Sequence, residues 1–211
     1  MVNISNFKFN YKNVSFLILA GMAQGGCKFF DDPSGPLAPP FQATIDPKGE
    51  TYSLLDLTQT KPVVVIFTKV NTVEGKKAIK FTEQLVSALG DSTQVLIIAP
   101  ILPIDIVRWQ DQFPAAAPIL PDPDRKIGGN YRIKGTPTIV LIGNRARLLG
   151  QWDGITGDIV KDLNTRLIKE IDSKGWKKPI SSITSVPPIK FSDDYYTGKT
   201  PELPKEKVIL N

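Results

Sequence analysis

The sequence has no histidine and a single cysteine, Cys27, among its 211 residues. Without histidine the chain lacks the commonest general base and the commonest zinc ligand at neutral pH. With one cysteine, neither an intramolecular disulfide nor a Cys-x-x-Cys pair can form. Near the N-terminus the apolar run, residues 14–20, is shorter than the roughly 20 residues a spanning helix needs. Charge is not gathered into blocks either: 26 Lys and Arg stand against 21 Asp and Glu, a formal +5 spread along the chain. No basic stripe interleaved with aromatics is present, which argues against nucleic acid as a partner.

What remains is ordinary for one globular domain with terminal extensions, at 41% hydrophobic and 22% charged residues. Residues 1–26 have the parts of an export signal: Lys8 and Lys12, then the apolar run, then small residues. Residues 27–40, with Pro33, Gly35, Pro36, Pro39 and Pro40, are expected to be an extended, mobile spacer. Residues 41–45 and 50–54 alternate around Asp46-Pro47-Lys48-Gly49 and predict a β-hairpin.

Residues 62–67 form a continuous β-branched run and predict a strand buried on both faces. The helix after it places Ala78, Ile79, Phe81, Leu85, Val86 and Leu89 at helical spacing, with Asn71 or Thr72 as its cap and Gly90 as its end. If Asn71 is the cap, Glu74 stands where a capping-box carboxylate would. Residues 94–99 are a second buried strand, parallel to the first through a right-handed crossover. A short helix over 104–113 gives Trp109 and Phe113 to the core. The loop Gly135-Thr136-Pro137-Thr138 opens the apolar strand 139–142; residues 147–152 follow as an antiparallel edge strand. The last helix, 159–171, sets Ile159, Leu163, Leu167, Ile168 and Ile171 on one face. The tail from 173 to 211 has five prolines past Gly175 and is expected to be extended, draped over the domain through Trp176, Phe191, Tyr195 and Tyr196.

The order hairpin, Ser-Leu-Leu-Asp-Leu, Lys-Pro, apolar strand, helix, then Asp122-Pro123-Asp124, Tyr131 and Gly135-Thr136-Pro137-Thr138 resembles the thioredoxin superfamily. The likeness is to its redoxin branch of membrane-attached thiol-disulfide reductases and peroxiredoxins. The resemblance covers about residues 38–172 and implies an α/β, thioredoxin-like fold: a central mixed sheet flanked by helices, with an N-terminal β-hairpin extension, over 41–172. It implies that Pro137 is cis and faces the redox positions. Aligning Phe67 with the family's phenylalanine puts Thr72 and Gly75 at the two cysteine positions, so both are replaced.

Glycine has nothing to ionise, and a threonine hydroxyl without a base is a poor nucleophile. No catalytic residue, cofactor or metal is therefore expected. The N–H groups of the helix start, with Lys69, Lys76 and Lys77, could attract an anion; a capped helix with solvated lysines is the expected reading. Asp46, Asp122 and Asp124 read as turn residues beside Pro and Gly. The proline loop, Lys134, Thr136 and Pro137, is by resemblance a receiver of an extended peptide through backbone pairing, which needs no cysteine. Ala23-Gln24-Gly25-Gly26-Cys27 resembles a bacterial lipoprotein box, which implies lipidation of Cys27 and a protein held on the membrane in the cell envelope. The expectation is a lipid-anchored binding or assembly module for protein partners. The alternative is a redoxin-type oxidoreductase or peroxidase using an unusual or partner-supplied thiol.

Overall fold

Five apolar residues, Val63–Phe67, make the middle of the molecule, and all five side chains have no solvent exposure. A strand so covered must have helices or other chain on both faces. The computed structural model describes residues 35–45, 50–112, 114–179, 181, 183 and 187–192. The signal segment, Cys27, the hairpin turn with Asp46, Phe113, Tyr195 and Tyr196 lie outside them.

In chain order the elements are β1 (Gln42–Ile45), β2 (Glu50–Ser53), α1 (Leu54–Leu57), β3 (Val63–Phe67), α2 (Val73–Leu89), β4 (Gln94–Ala99) and α3 (Pro103–Gln112). Then follow β5 (Ile119–Pro121), α4 (Lys126–Asn130), β6 (Thr138–Gly143), β7 (Arg147–Asp153) and α5 (Gly157–Lys174). β1 and β2 form the expected antiparallel hairpin. The other five strands make one mixed sheet in the order β5-β4-β3-β6-β7. β3, β4 and β5 run parallel, β6 runs antiparallel to β3, and β7 runs antiparallel to β6 and so in the direction of β3.

Alternate residues of each central strand go to opposite faces. Val64, Ile66, Val95, Ile97, Ile139 and Leu141 join one core with Phe81, Leu85, Trp109, Leu163 and Leu167 from the long helices. Val63, Val65, Phe67, Leu96, Ile98, Val140 and Ile142 meet the hairpin and Leu54, Tyr131 and Ile133 on the other side. The hairpin thus serves as the cover of a face that has no long helix. Tyr131 fixes that cover, since its hydroxyl donates to the Pro39 carbonyl at 2.9 Å and its ring lies 5.4 Å from that of Phe67.

Four expectations change. Residues 36–38, read as spacer, run beside β7: Ala38 N–H donates to Ala146 O (2.7 Å) and Leu148 N–H to Pro36 O (2.9 Å). On α5, Ile168 is exposed and Val160 is buried in its stead, because the face that meets the sheet is centred on the 160-163-167-171 line. β5 is an additional strand of three residues. Finally, the tail is more than a drape: Ile183 and Ile189 are buried in the core beneath it.

Candidate functional site

The register fixes what meets at one end of the sheet. Phe67, the last residue of β3, lies opposite Thr138, the first of β6, and Thr138 lies opposite Asp153, the last of β7. The loops after β3, β4 and β7 and the loop before β6 therefore share one rim, the carboxyl ends of the parallel strands. Open α/β sheets bind their ligands there.

At this rim Thr72 caps α2. Its backbone is extended, and its Oγ1 accepts from the Gly75 N–H at 2.9 Å while donating to the Lys69 carbonyl at 3.0 Å. Both capacities of the hydroxyl are thereby engaged, as a cap requires. With Thr72 as cap, Glu74 falls one residue short of the capping-box position, so that reading of Asn71 and Glu74 does not hold. The Lys69 backbone turns back over the helix start so closely that a Cβ on Gly75 would overlap the Lys69 carbonyl oxygen and lie 2.7 Å from its carbon. Gly75 is at this position because no side chain fits. The three lysines near the helix start do not share one environment: Lys76 and Lys77 are exposed, whereas Lys69 is buried. This differs from the expected solvated set, and follows from the same inward fold of residue 69.

Four residues before Thr72 in the chain, Thr68 is fully buried, and its N–H continues the β3 ladder to Ile98 O at 3.0 Å. Its hydroxyl is the unpartnered buried side-chain polar atom among the described residues. Sequence reading gave no sign of it.

The Thr136–Pro137 peptide bond is cis. Lys134 is exposed, while Thr136 and Pro137 are buried. The loop is clamped from within: Thr138 Oγ1 donates to Gly135 O (2.9 Å) and to Asp153 Oδ1 (3.1 Å), and Gly154 N–H donates to Pro137 O (2.8 Å). Its outer edge carries an extended strand. Thr136 N–H donates to Ser192 O and Ser192 N–H to Thr136 O, both at 2.8 Å. One step along, Ile155 N–H donates to Ile189 O (3.1 Å) and Ile189 N–H to Ile155 O (2.8 Å). The structure thus brings Thr136 and Pro137 to the rim that holds Thr72 and Gly75. It also adds Ile189–Ser192, which the sequence reading named only through Phe191.

The aspartates behave as turn residues. Asp122 accepts from Ile127 N–H at 3.0 Å and Gly128 N–H at 2.8 Å, and Asp124 pairs with Lys126 at the surface. Among the described residues no group of three or more His, Cys, Asp or Glu side chains converges as metal ligands would.

No protein-family model and no curated protein matches the sequence. Solved structures do match in shape. The protein assigned as thiol:disulfide interchange protein DsbE from Chlorobium tepidum superposes with a TM-score of 0.56 at 21% identity, over 65% of this chain and 96% of that one. The chain has the thioredoxin fold. The exposed lipoprotein thioredoxin of Streptococcus pneumoniae matches with a TM-score of 0.52 at 20% identity, over 60% of this chain and 99% of that one. The mitochondrial 2-Cys peroxiredoxin of Plasmodium falciparum matches at 0.51 and 16% identity, over 66% and 95%. In this thioredoxin fold the mixed sheet and the cis-proline loop are present, and the described residues include no cysteine. No described helix is long and apolar enough to cross a membrane.

Proposed function

We propose that this protein is a binding module for extended polypeptide segments, held on the outer side of a bacterial membrane by lipid on Cys27, with thiol-disulfide chemistry lost. The observation that carries the reading is the main chain of Thr136, which engages an extended segment by two antiparallel hydrogen bonds of 2.8 Å. Backbone pairing of this kind gives affinity without a covalent step. Val73, Leu102 and Ile104 add exposed apolar side chains at the starts of α2 and α3 on the same rim, which suits apolar partner residues. The filled space at Gly75 and the Thr72 hydroxyl, whose proton is held by the Lys69 carbonyl, argue against a nucleophile there. The apolar run of residues 14–20 with small residues leading to Cys27, and the likeness to a lipoprotein thioredoxin, support the anchor.

Two measurements test this. The purified chain is titrated with a reduced, carboxymethylated unfolded protein, and separately assayed for peroxide and disulfide turnover with added thiols. Saturable binding without turnover is expected; turnover without binding would overturn the proposal. Cys27→Ser should move the protein from the membrane fraction to the soluble one and remove acyl mass, and an unchanged distribution would reject the anchor.

A further inference from the structure

The residues that cover the proline loop belong to the chain's own tail, and their chemistry describes what the groove accepts. Ile189 is buried, Lys190 exposed, Phe191 half-buried and Ser192 exposed, the alternation of a strand lying on a surface. The groove is floored by two glycines. A Cβ on Gly135 would overlap the Ser192 carbonyl oxygen and stand 2.7 Å from the Phe191 ring, and one on Gly154, whose φ of +83° disfavours any side chain, would touch Ile189 O at 3.4 Å and Phe191 Cβ at 3.5 Å. Pro187 and Pro188 precede the segment, so the chain is fixed near extended geometry as it arrives, and the two prolines themselves bring no N–H groups to satisfy.

Four backbone hydrogen bonds and one buried side chain hold this short stretch. Each such bond replaces one to water and so contributes only modestly in net terms. A hold of this size is strong enough to keep the groove covered and weak enough to be displaced by a competing strand.

We infer that Ile189–Ser192 is an internal occupant of the polypeptide groove, so that a partner segment enters by replacing it. The partner segment would run antiparallel to Thr136, with an aliphatic residue two positions before an aromatic one and a polar residue after it. This rests on the binding reading above and adds to it the class of segment recognised and the competitor that gates it.

The test uses the chain from Cys27 to Asn211. Ser192→Pro removes the N–H given to Thr136 and leaves Ile189 in its core seat. A labelled synthetic peptide of residues 187–196 keeps that N–H. It should bind the Ser192→Pro protein about tenfold more tightly than wild type, and Gly135→Ala added to that variant should abolish binding. Far-UV melts check that each variant folds, and a peptide carrying Phe191→Ala, expected to bind about tenfold more weakly, tests the groove without altering the protein. By hydrogen exchange the Ser192 amide of wild type should open at least a hundredfold faster than that of Val65. Equal affinities, with Ser192 exchanging as slowly as Val65, would overturn the inference and make the strand permanent structure. If the tail peptide behaves as stated but the carboxymethylated protein binds neither form, the gated groove stands and the general binding reading falls. If the carboxymethylated protein binds wild type, Ser192→Pro and Gly135→Ala alike, binding lies elsewhere and the inference fails while the broader reading survives.

Discussion

The carbonyl oxygen of Lys69 occupies the space that a β-carbon on Gly75 would need. The position is thus closed sterically as well as lacking a thiol. Restoring cysteine by a single substitution would force the 69–72 loop outward and break the Thr72 bond to that same carbonyl.

Gly75→Ala is therefore expected to destabilise by about 2 kcal/mol or more, against the roughly 1 kcal/mol that alanine normally gains over glycine in a helix. Urea unfolding measures it. A variant more stable than wild type would mean that the loop yields without cost. Gly75→Cys should show the same loss and no thiol-dependent turnover.

Thr72→Ala should cost about 1 kcal/mol, since it removes the acceptor for Gly75 N–H and the donor to Lys69 O. Thr72→Ser should recover most of the loss. Equal damage from both substitutions would show that the methyl group, rather than the cap, carries the effect.

Thr68→Val replaces a buried, unpartnered hydroxyl by a methyl group of nearly the same size. The desolvation of that hydroxyl costs about 1–3 kcal/mol. The variant should be as stable as wild type or more so by up to about that amount, read as a shift in the denaturation midpoint. A loss of 1 kcal/mol would show that the hydroxyl has a partner in solution.

Burial holds the Tyr131 phenol well above its ordinary range. The folded chain keeps this proton above pH of about 10, where the unfolded chain releases it. Its contribution is therefore intact below about pH 10 and declines as pH rises further, by up to about 1.4 kcal/mol per unit. Tyr131→Phe should be less stable at pH 7 by about 1 kcal/mol, through the lost bond to Pro39, and should fall off less steeply between pH 10 and 11.5. Parallel curves for the two proteins would contradict the assignment.

The parts of the fold that the sequence discloses are those where one periodicity runs unbroken. β3, β4 and β6 read as apolar runs and α2 as an amphipathic helix capped by Thr72, one of its two candidate caps, while α5 begins at Gly157, two residues before its apolar stripe. Ile168 and Val160 were exchanged because both fit an apolar stripe, and only the angle at which α5 meets the sheet chooses between them. β5 was passed over because three residues ending in proline hold no pattern. Ile183 and Ile189 stand alone among prolines, and their burial depends on where the tail lands. At the site, Thr72, Gly75 and the proline loop were legible as residues. The Lys69 carbonyl and the Ser192 pairing were not, since both are main-chain contacts that carry no side-chain signature.

The outer margins of the sheet bear on how copies of this protein coexist. β7 would present a row of unsatisfied amides able to template another chain, but at its start Leu148 N–H donates to Pro36 O, and just before the strand Ala146 O accepts from Ala38 N–H. On the far side β5 has three residues and ends in Pro121, which has no amide hydrogen to offer. Protein crowded onto a surface would meet its neighbours with both margins blunted. The few residues ahead of β1 thus work as insulation against polymerisation, a service distinct from any tether they extend.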